Sequence, residues 1–289
     1  MAHRRKLTLF TIGAMAVGAA ICGAAPADGL LGDPVHRLVW ESQLWDRPEA
    51  KTRTVTVDSW NRNAVAAFFN TTYTPALAVP MQWSGNVATC DAGTTSQAYI
   101  DATMQMINFY RGMVGLADAT NAVAYNAGAQ QAALMMSANY ALSHYPPSSW
   151  TCWTAAGAAA AGASNLALGN AGPTAIIAYI RDSGSGNYFV GHRRWILYPL
   201  LNQFGTGSVG ETTPNANALY VFTGFGSRPP APDTIAWPPE GYVPYQTVYT
   251  RWSLALNTSS SVSFASANVT MTENGSPVSL SVVSRTNNG

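Results

Sequence analysis

Residues 191–197 of this chain read GHRRWIL, a histidine followed by two cations and a run of large apolar side chains. A second histidine, His144, closes the segment ALSH at 141–144, and a polar turn, SNLA at 164–167, lies between the two. Imidazole is the one side chain that can carry a proton near neutral pH or bind a transition metal as a neutral ligand. Three polar positions in an otherwise apolar stretch therefore predict a built site.

Two helical segments precede the first histidine. Apolar residues recur at three- and four-residue steps over residues 97–114, which predicts a helix that ends at Gly115. A second helical pattern runs over residues 125–142, and the prolines at 146–147 would stop it. This arrangement places His144 just past the last turn of the second helix.

A third helix is expected after the polar turn. Pro173 suits a first helical position, and the isoleucines that follow continue the pattern to about Asp182. Between the second and third helices, residues 155–163 are almost purely Ala and Gly. That composition is typical of a flexible or closely packed connector.

The second half of the chain changes to short β-type runs. Alternating segments over residues 203–209 and 219–225 follow the helices, which indicates an α+β fold with helices layered on an antiparallel sheet. A Pro-rich stretch separates them from a C-terminal β module. The later runs cover residues 247–256, 261–271 and 278–283, with a hairpin turn at 273–276. Because three strands are few for a sandwich, this module is expected to be small and incomplete.

The chain begins with a basic segment and an apolar run. Residues 4–6 are cationic, residues 7–22 are uncharged and residues 25–27 are small, which is the pattern of a cleaved signal peptide over residues 1–27. The apolar run is slightly short for a membrane span, which needs about 20 residues. We therefore expect a secreted protein, extracellular or at the cell surface, with no membrane span after cleavage.

Charged side chains make up only 10% of the sequence, where a soluble domain usually has about 25%. Without residues 1–27 the chain keeps 12 of its 15 Lys+Arg and all 14 Asp+Glu, a formal charge of −2. Such a surface would not neutralise a row of phosphates, so nucleic acid is excluded as a partner. A polybasic patch for a membrane surface is equally absent from the sequence.

Two cysteines, Cys90 and Cys152, remain in a chain predicted to reach an oxidising compartment. A pair of cysteines is usually bridged there, which predicts a disulfide between them, with two buried thiols as the alternative. Two cysteines alone cannot form a four-ligand structural zinc site.

The expected organisation has five segments in chain order. They are a signal peptide (1–27), an N-terminal extension that packs on the main domain (28–96), the main domain (97–226), a Pro-rich linker (227–246) and the C-terminal β module (247–289).

Taken together, the motifs resemble the CAP superfamily of cysteine-rich secretory proteins, venom antigens and plant pathogenesis-related proteins, with the SCP-like domains of its bacterial branch looking closest. The resemblance covers Gln97 to Phe225. It rests on INFYR at 107–111, the Ala-rich helix ending in LSH at 142–144, SNLA at 164–167 and GHRRWIL at 191–197, in that order. It implies an α-β-α sandwich with a cleft lined by two histidines and two acidic residues.

The resemblance also assigns candidate site residues. His144 and His192 match its two histidine positions, Ser164 stands where many members carry Glu, and Asp182 is the nearest candidate for the second acid. Two imidazoles and one carboxylate could hold zinc with an open position, whereas two imidazoles alone would bind a divalent cation weakly. The alternative is that both histidines hydrogen-bond within the cleft, beside Ser164 and Asn165, and orient its loops.

The sequence favours a monomeric, non-enzymatic binding protein whose cleft takes a small-molecule, lipid, cell-wall or matrix ligand. One alternative is a metal-assisted or serine-type hydrolase that uses His144, His192, Ser164 and Asp182. The sequence has no Gly-x-Ser-x-Gly elbow and nothing that marks an oxyanion hole. A second alternative is a structural surface protein with a vestigial site.

Overall fold

The computed structural model describes residues 57–210, 214–229, 232–258 and 262–285 with their side chains, and the backbone alone of residues 4–10, 20–23 and 35–42. Most of the predicted signal peptide lies outside these ranges, as does most of the segment 28–56.

Helices carry the first part of the described chain. They are α1 (Arg62–Phe68), a π-helical turn (Phe69–Tyr73), α2 (Thr74–Leu77), α3 (Gln97–Met113), α4 (Asn126–Asn139), α5 (Ala155–Gly162), α6 (Gly172–Arg181) and α7 (Gly191–Ile196). Within the described residues, no helix combines the length and the apolar composition that crossing a membrane requires.

The strands of the described residues fall into three sheets. They are β1 (Arg4–Phe10), β2 (Ala20–Gly23), β3 (Val35–Ser42), β4 (Thr120–Asn121), β5 (Ser164–Leu168), β6 (Gln203–Val209), β7 (Ala216–Tyr220), β8 (Thr234–Trp237), β9 (Gly241–Pro244), β10 (Arg251–Leu256), β11 (Asn268–Glu273), β12 (Ser276–Val278) and β13 (Leu280–Ser284). The sheet orders are β4-β6-β7-β5, β12-β11-β1-β3-β9 and β13-β2-β10-β8.

The four-stranded sheet β4-β6-β7-β5 is the middle layer of a sandwich. β7 is antiparallel to both β5 and β6. Leu166 and Leu168 of β5 contact the cluster built on α4 and α5, whereas Ala167 between them belongs to the cluster of α3 and α6. Since successive strand residues point to opposite faces, helices cover both faces of the sheet. The α+β fold with an α-β-α sandwich is thereby confirmed.

Local sequence signals set the ends of α3 and α6. The hydroxyl of Ser96 accepts a hydrogen bond from the backbone N–H of Tyr99 at 3.2 Å, which caps the start of α3. After its last turn Gly115 adopts a φ of +75°, as expected of a glycine that ends a helix. Pro173 lies in the first turn of α6, as predicted.

Helix α4 ends earlier than predicted. Its last residue is Asn139 rather than a residue near 142, because Tyr140 adopts a left-handed φ of +50° and terminates the helix. The prolines at 146–147 therefore lie in a loop and do not end the helix. His144 belongs to that loop, a few residues beyond the last turn of α4.

The Ala/Gly run at 155–163 is helical, where a connector was expected. The hydroxyl of Thr154 accepts the N–H of Gly157 at 3.0 Å and caps α5. A Cβ on Gly157 would lie 2.9 Å from the side chain of Met135 in α4, so only small residues allow this close approach of the two helices. The run is closely packed, and its alanines favour helix rather than coil.

The C-terminal strands do not stand alone. The backbones of β1, β2 and β3 pair into the same two sheets, so the module has more than the three strands expected. Cleavage after residue 27 would remove β1 and β2 from these sheets. The predicted hairpin is present: β11 and β12 are antiparallel, with Glu273 opposite Ser276 and positive φ at Asn274 and Gly275 between them.

The segment 227–246 differs from the expected linker because it contains β8 and β9. Trp237 of β8 is fully buried, and its ring centroid lies 4.9 Å from that of Tyr110 in α3. The hydroxyls of Tyr110 and Tyr249 share a hydrogen bond of 2.8 Å. The C-terminal strands therefore share one hydrophobic core with α3 and α6.

Candidate functional site

A pocket of about 270 Å³ opens where the loop after α4 meets β5 and α7. His144 of the loop, Ser164 and Asn165 of β5, and His192 of α7 all line it. The fold thus brings together four residues that the sequence singled out, although they are spread over about 50 positions of the chain.

Contacts with Asp182 and Tyr179 hold the side chain of His192 in one orientation. Its Nδ1 lies 2.7 Å from Oδ1 of Asp182, and its backbone N–H donates to Oδ2 of the same carboxylate at 3.0 Å. The ring of Tyr179 stacks on the imidazole with a centroid distance of 5.5 Å. The Asp182 side chain is fully buried and the His192 side chain is 24% exposed, so the far edge of the imidazole faces the pocket.

His144 is anchored through its loop. Its Nδ1 lies 2.9 Å from the carbonyl oxygen of Ala161 at the end of α5. The loop itself is fastened at its far end by the Cys90–Cys152 disulfide, which confirms the predicted bridge. The side chain of Asn139 adds two hydrogen bonds to the backbone of Thr151, at 2.9 and 3.0 Å.

The hydrogen bonds of the two imidazoles fix their tautomers. A carbonyl oxygen and a carboxylate oxygen both accept, so the Nδ1 of each neutral ring carries the hydrogen and its Nε2 keeps a lone pair. Within the described residues, neither Nε2 has a hydrogen-bond partner. In its neutral form, each of these two lining residues, His144 and His192, therefore offers one acceptor nitrogen.

Ser164 is not prepared as a nucleophile. Its hydroxyl donates to the carbonyl oxygen of Ala160 at 2.7 Å, and its side chain is buried. In the described part of the chain no hydrogen bond joins Ser164 to either histidine, and activation of a serine requires such a bond to a base. The amide of Asn165 is also used internally, because its Nδ2 donates to the backbone oxygen of His192 at 3.1 Å.

Asp182, which the resemblance offered as a possible third metal ligand, is not among the residues that line the pocket. Both carboxylate oxygens face the first turn of α7, where they accept from His192 and, at 3.4 Å, from the backbone N–H of Arg193. Among the described residues no group of three His, Cys, Asp or Glu side chains could hold a metal ion. The donor set therefore does not fit a three-ligand zinc site.

Charged side chains contact the pocket lining without being part of it: Asp182 contacts His192, and Arg194 donates to the backbone oxygen of Phe189 at 2.9 Å. None of the described residues that line it is Asp, Glu, Lys or Arg. Arg193 points into the core instead, where its Nε donates to the oxygen of Ile180 at 2.6 Å and one of its terminal nitrogens to Ser253 Oγ at 2.9 Å. Burial lowers the pKa of the Arg193 guanidinium to about 10, and the nearby Asp182 carboxylate opposes that shift.

Sequence reasoning missed the aromatic wall of the pocket. Tyr145, Phe189, Trp195 and Phe222 line one side of it, and they come from three different loops and α7. Trp195 is partly buried, packs against the main core and contacts Phe222 edge-on with a centroid distance of 4.9 Å. The pairs Tyr145 beside His144 and Phe189 close to His192 were the available signal.

A larger, open depression of about 460 Å³ lies along α3, near Asp101 and Asp118. The amide side chains that line it are already hydrogen-bonded to the backbone. Asn108 exchanges hydrogen bonds with the backbone of Ala119 at 2.8 and 3.0 Å, and Gln105 donates to the backbone oxygen of Thr72 at 3.0 Å. We therefore place the candidate site at the histidine pocket and not at the larger depression.

The fold and the pocket define an α-β-α sandwich domain with a histidine-lined cleft. Residues 104–224 match the Cysteine-rich secretory protein family, CAP, within the stretch that carries the sequence resemblance. This stretch of the chain is a CAP domain. No curated protein and no solved structure matches the chain.

Proposed function

We propose that this chain is an extracellular, monomeric binding protein that holds a small neutral ligand in the pocket between His144 and His192. The observation that supports the proposal is that both histidines line the pocket and their rings are hydrogen-bonded, among the described residues, through Nδ1 alone, while the hydroxyl of Ser164 donates to the backbone.

A binding function is favoured over catalysis because the serine hydroxyl and the histidine base that a hydrolase would need are not hydrogen-bonded to each other. The pair Asp182–His192 has the geometry of an acid that orients a general base. A serine hydrolase also needs a hydroxyl within reach of that base, and the Ser164 hydroxyl donates to a backbone oxygen of α5 instead. His192 is therefore better suited to accept a hydrogen bond from a ligand than to activate Ser164.

A resident metal is not part of the proposal. Two imidazoles are the nitrogen ligands that the pocket offers, and Asp182 is turned toward His192 and α7. With two ligands a divalent cation would be held weakly, so zinc is not needed to explain why the histidines are oriented.

The test compares ligand binding and turnover in the same samples. Saturation-transfer NMR with a panel of small neutral alcohols, amides and sugars should show binding to the wild-type protein and no binding to the variant with His144→Ala and His192→Ala. Ester, peptide and glycan substrates should remain intact. If a substrate is hydrolysed and the activity disappears in Ser164→Ala, the protein is a hydrolase and the proposal is wrong. If no probe binds, the interpretation as a structural protein with a vestigial site is supported instead.

Secretion is a further part of the proposal, supported by the basic, apolar and small-residue order of residues 1–27. The mature chain should begin at or near Asp28. Intact-mass measurement of protein recovered from the culture medium checks this expectation, and a secreted chain that retains β1 and β2 would contradict it.

A further inference from the structure

Aromatic side chains border the histidine pocket. We define the aromatic rim as the lining residues Tyr145, Phe189, Trp195 and Phe222 together with Phe225, which stacks on Trp195. Tyr145 is 87% exposed, Phe225 55% and Phe222 49%. Exposed apolar side chains that cluster beside a pocket mark an interaction surface rather than a folding requirement.

The rim has internal order, which separates it from scattered surface aromatics. Trp195 contacts Phe222 edge-on at 4.9 Å, and its ring is nearly parallel to that of Phe225, with an angle of 8° and a centroid distance of 6.4 Å. Tyr198 supports Phe225 from the side at 5.6 Å. The rings of Trp195, Phe222 and Phe225 are thus held by one another and by Tyr198.

The polar part of the pocket selects for hydrogen-bond donors. The free Nε2 atoms of His144 and His192 both accept, as argued from their bonds to Ala161 and Asp182. No described residue that lines the pocket carries a formal charge, apart from what the imidazoles acquire on protonation. A neutral ligand suits this lining, and it should offer at least two hydrogen-bond donors and present an apolar face to the aromatic rings.

We infer that the pocket and its aromatic rim bind a neutral oligosaccharide; this inference rests on the proposed function. A sugar ring carries several hydroxyl donors on its edge and a face of C–H bonds, and the negative faces of aromatic rings attract that positively polarised face. One sugar unit would donate hydroxyls to His144 and His192, and the next units would lie on the rim.

Other ligand classes fit less well. A fatty acid carboxylate has no hydrogen to donate to the two acceptor nitrogens. A sterol offers one hydroxyl to two acceptors. An anionic polysaccharide would meet no Lys or Arg among the described lining residues.

The experiment titrates the full secreted chain by calorimetry with defined neutral hexasaccharides: cellohexaose, maltohexaose, mannohexaose and chitin hexasaccharide. Binding of at least one of them is expected. Tyr145→Ala and Phe222→Ala should each weaken it by about tenfold, since a stacked ring contributes on that order. Both residues are exposed, so the variants should fold. The matched control is Tyr245→Ala, at a residue that is 54% exposed and not part of the pocket lining, and its affinity should be unchanged.

The outcomes separate this inference from the proposed function. If no hexasaccharide binds while a neutral non-sugar probe still binds in a manner that needs both histidines, the sugar assignment fails and the proposed function stands. If nothing binds, both fail. Equal affinity in Tyr145→Ala, Phe222→Ala and wild type would move the sugar away from the rim, and rim-dependent binding of palmitate or of sterol-containing vesicles would assign the surface to lipids; each of these results overturns the inference.

Discussion

The buried carboxylate of Asp182 lies 2.7 Å from Nδ1 of His192 and also accepts backbone N–H groups at the start of α7. The Asp182 side chain therefore orients the imidazole of His192 and also holds the first turn of α7, the helix that carries His192. Asp182 itself is positioned by its place directly after α6, where it adopts a left-handed φ of +50°. Asp182 contacts the pocket through His192 and is not part of the pocket lining.

Asp182→Asn should lower the free energy of unfolding by roughly 2–3 kcal/mol, because the buried guanidinium of Arg193 loses a nearby negative charge and His192 loses a charged acceptor. Urea denaturation followed by circular dichroism measures the loss. Asp233→Asn is the control, since Asp233 is exposed, and its cost should be near zero. Equal stability of the two variants would contradict the role given to Asp182.

Zinc titration tests whether the pocket offers a metal ion only the two histidines as ligands. Calorimetry on the wild type should show no saturable binding at micromolar zinc, whereas Ser164→Glu adds a carboxylate at a lining position and should raise the affinity at least about tenfold. Ser164→Gln has nearly the same size without the charge and should behave like the wild type. Tight one-to-one binding by the wild type that is lost with both histidines would show that a third ligand exists.

The motifs in the sequence predicted which side chains line the pocket, because each motif lies at or near the end of a helix or strand whose position is set by the fold. His144, Ser164, Asn165 and His192 were found in this way. The role of Asp182 could not be predicted, since it depends on the left-handed turn after α6 and not on residue type. The aromatic rim was equally hidden, because Tyr145, Phe189 and Phe222 lie in loops that have no periodicity.

The disulfide closes a loop of 62 residues that includes α3, α4 and the His144 loop. Replacing both Cys90 and Cys152 by Ser should lower the stability by at most about 4 kcal/mol, on the chain-entropy estimate for a loop of this length. Guanidinium denaturation with and without reductant measures it. The wild type should shift on reduction, and the double variant should not respond to reductant at all.

Alkaline pH should unfold the protein through its buried tyrosines. Burial raises the pKa of Tyr99 from 10.0 to about 12 and the pKa of Tyr110 and of Tyr179 well above 10.0. A group whose pKa is higher in the folded state contributes stability fully below its unfolded pKa, and loses it as the pH rises through the folded value. Stability should therefore fall above pH 10, over the interval that ends near the Tyr99 pKa of about 12.

Two buried arginines act in the opposite direction over the same interval. Burial lowers the pKa of Arg111 and of Arg193 from 12.5 to about 10, so their contribution improves as the pH rises. The tyrosines with a raised pKa outnumber these arginines, so the net effect of rising pH is a loss of stability. Tyrosinate absorbance and circular dichroism, recorded together, should show a group of tyrosines that ionises only as the fold is lost. Complete ionisation of all 13 tyrosines in a native fold would contradict this.

Trp237→Ala tests whether the C-terminal strands and the CAP domain fold as one unit. Trp237 is fully buried, packs on Tyr110 of α3, and donates from its indole nitrogen to the oxygen of Thr247 at 3.0 Å. Truncation should cost roughly 3–5 kcal/mol, as for other buried tryptophans. Because the core is shared, fluorescence and circular dichroism should report one transition at a lower urea concentration. Tyr245→Ala is the exposed control and should change little. Two separate transitions, with the helical signal unfolding at its wild-type midpoint, would show instead that the strands form an independent module, as the sequence alone had suggested.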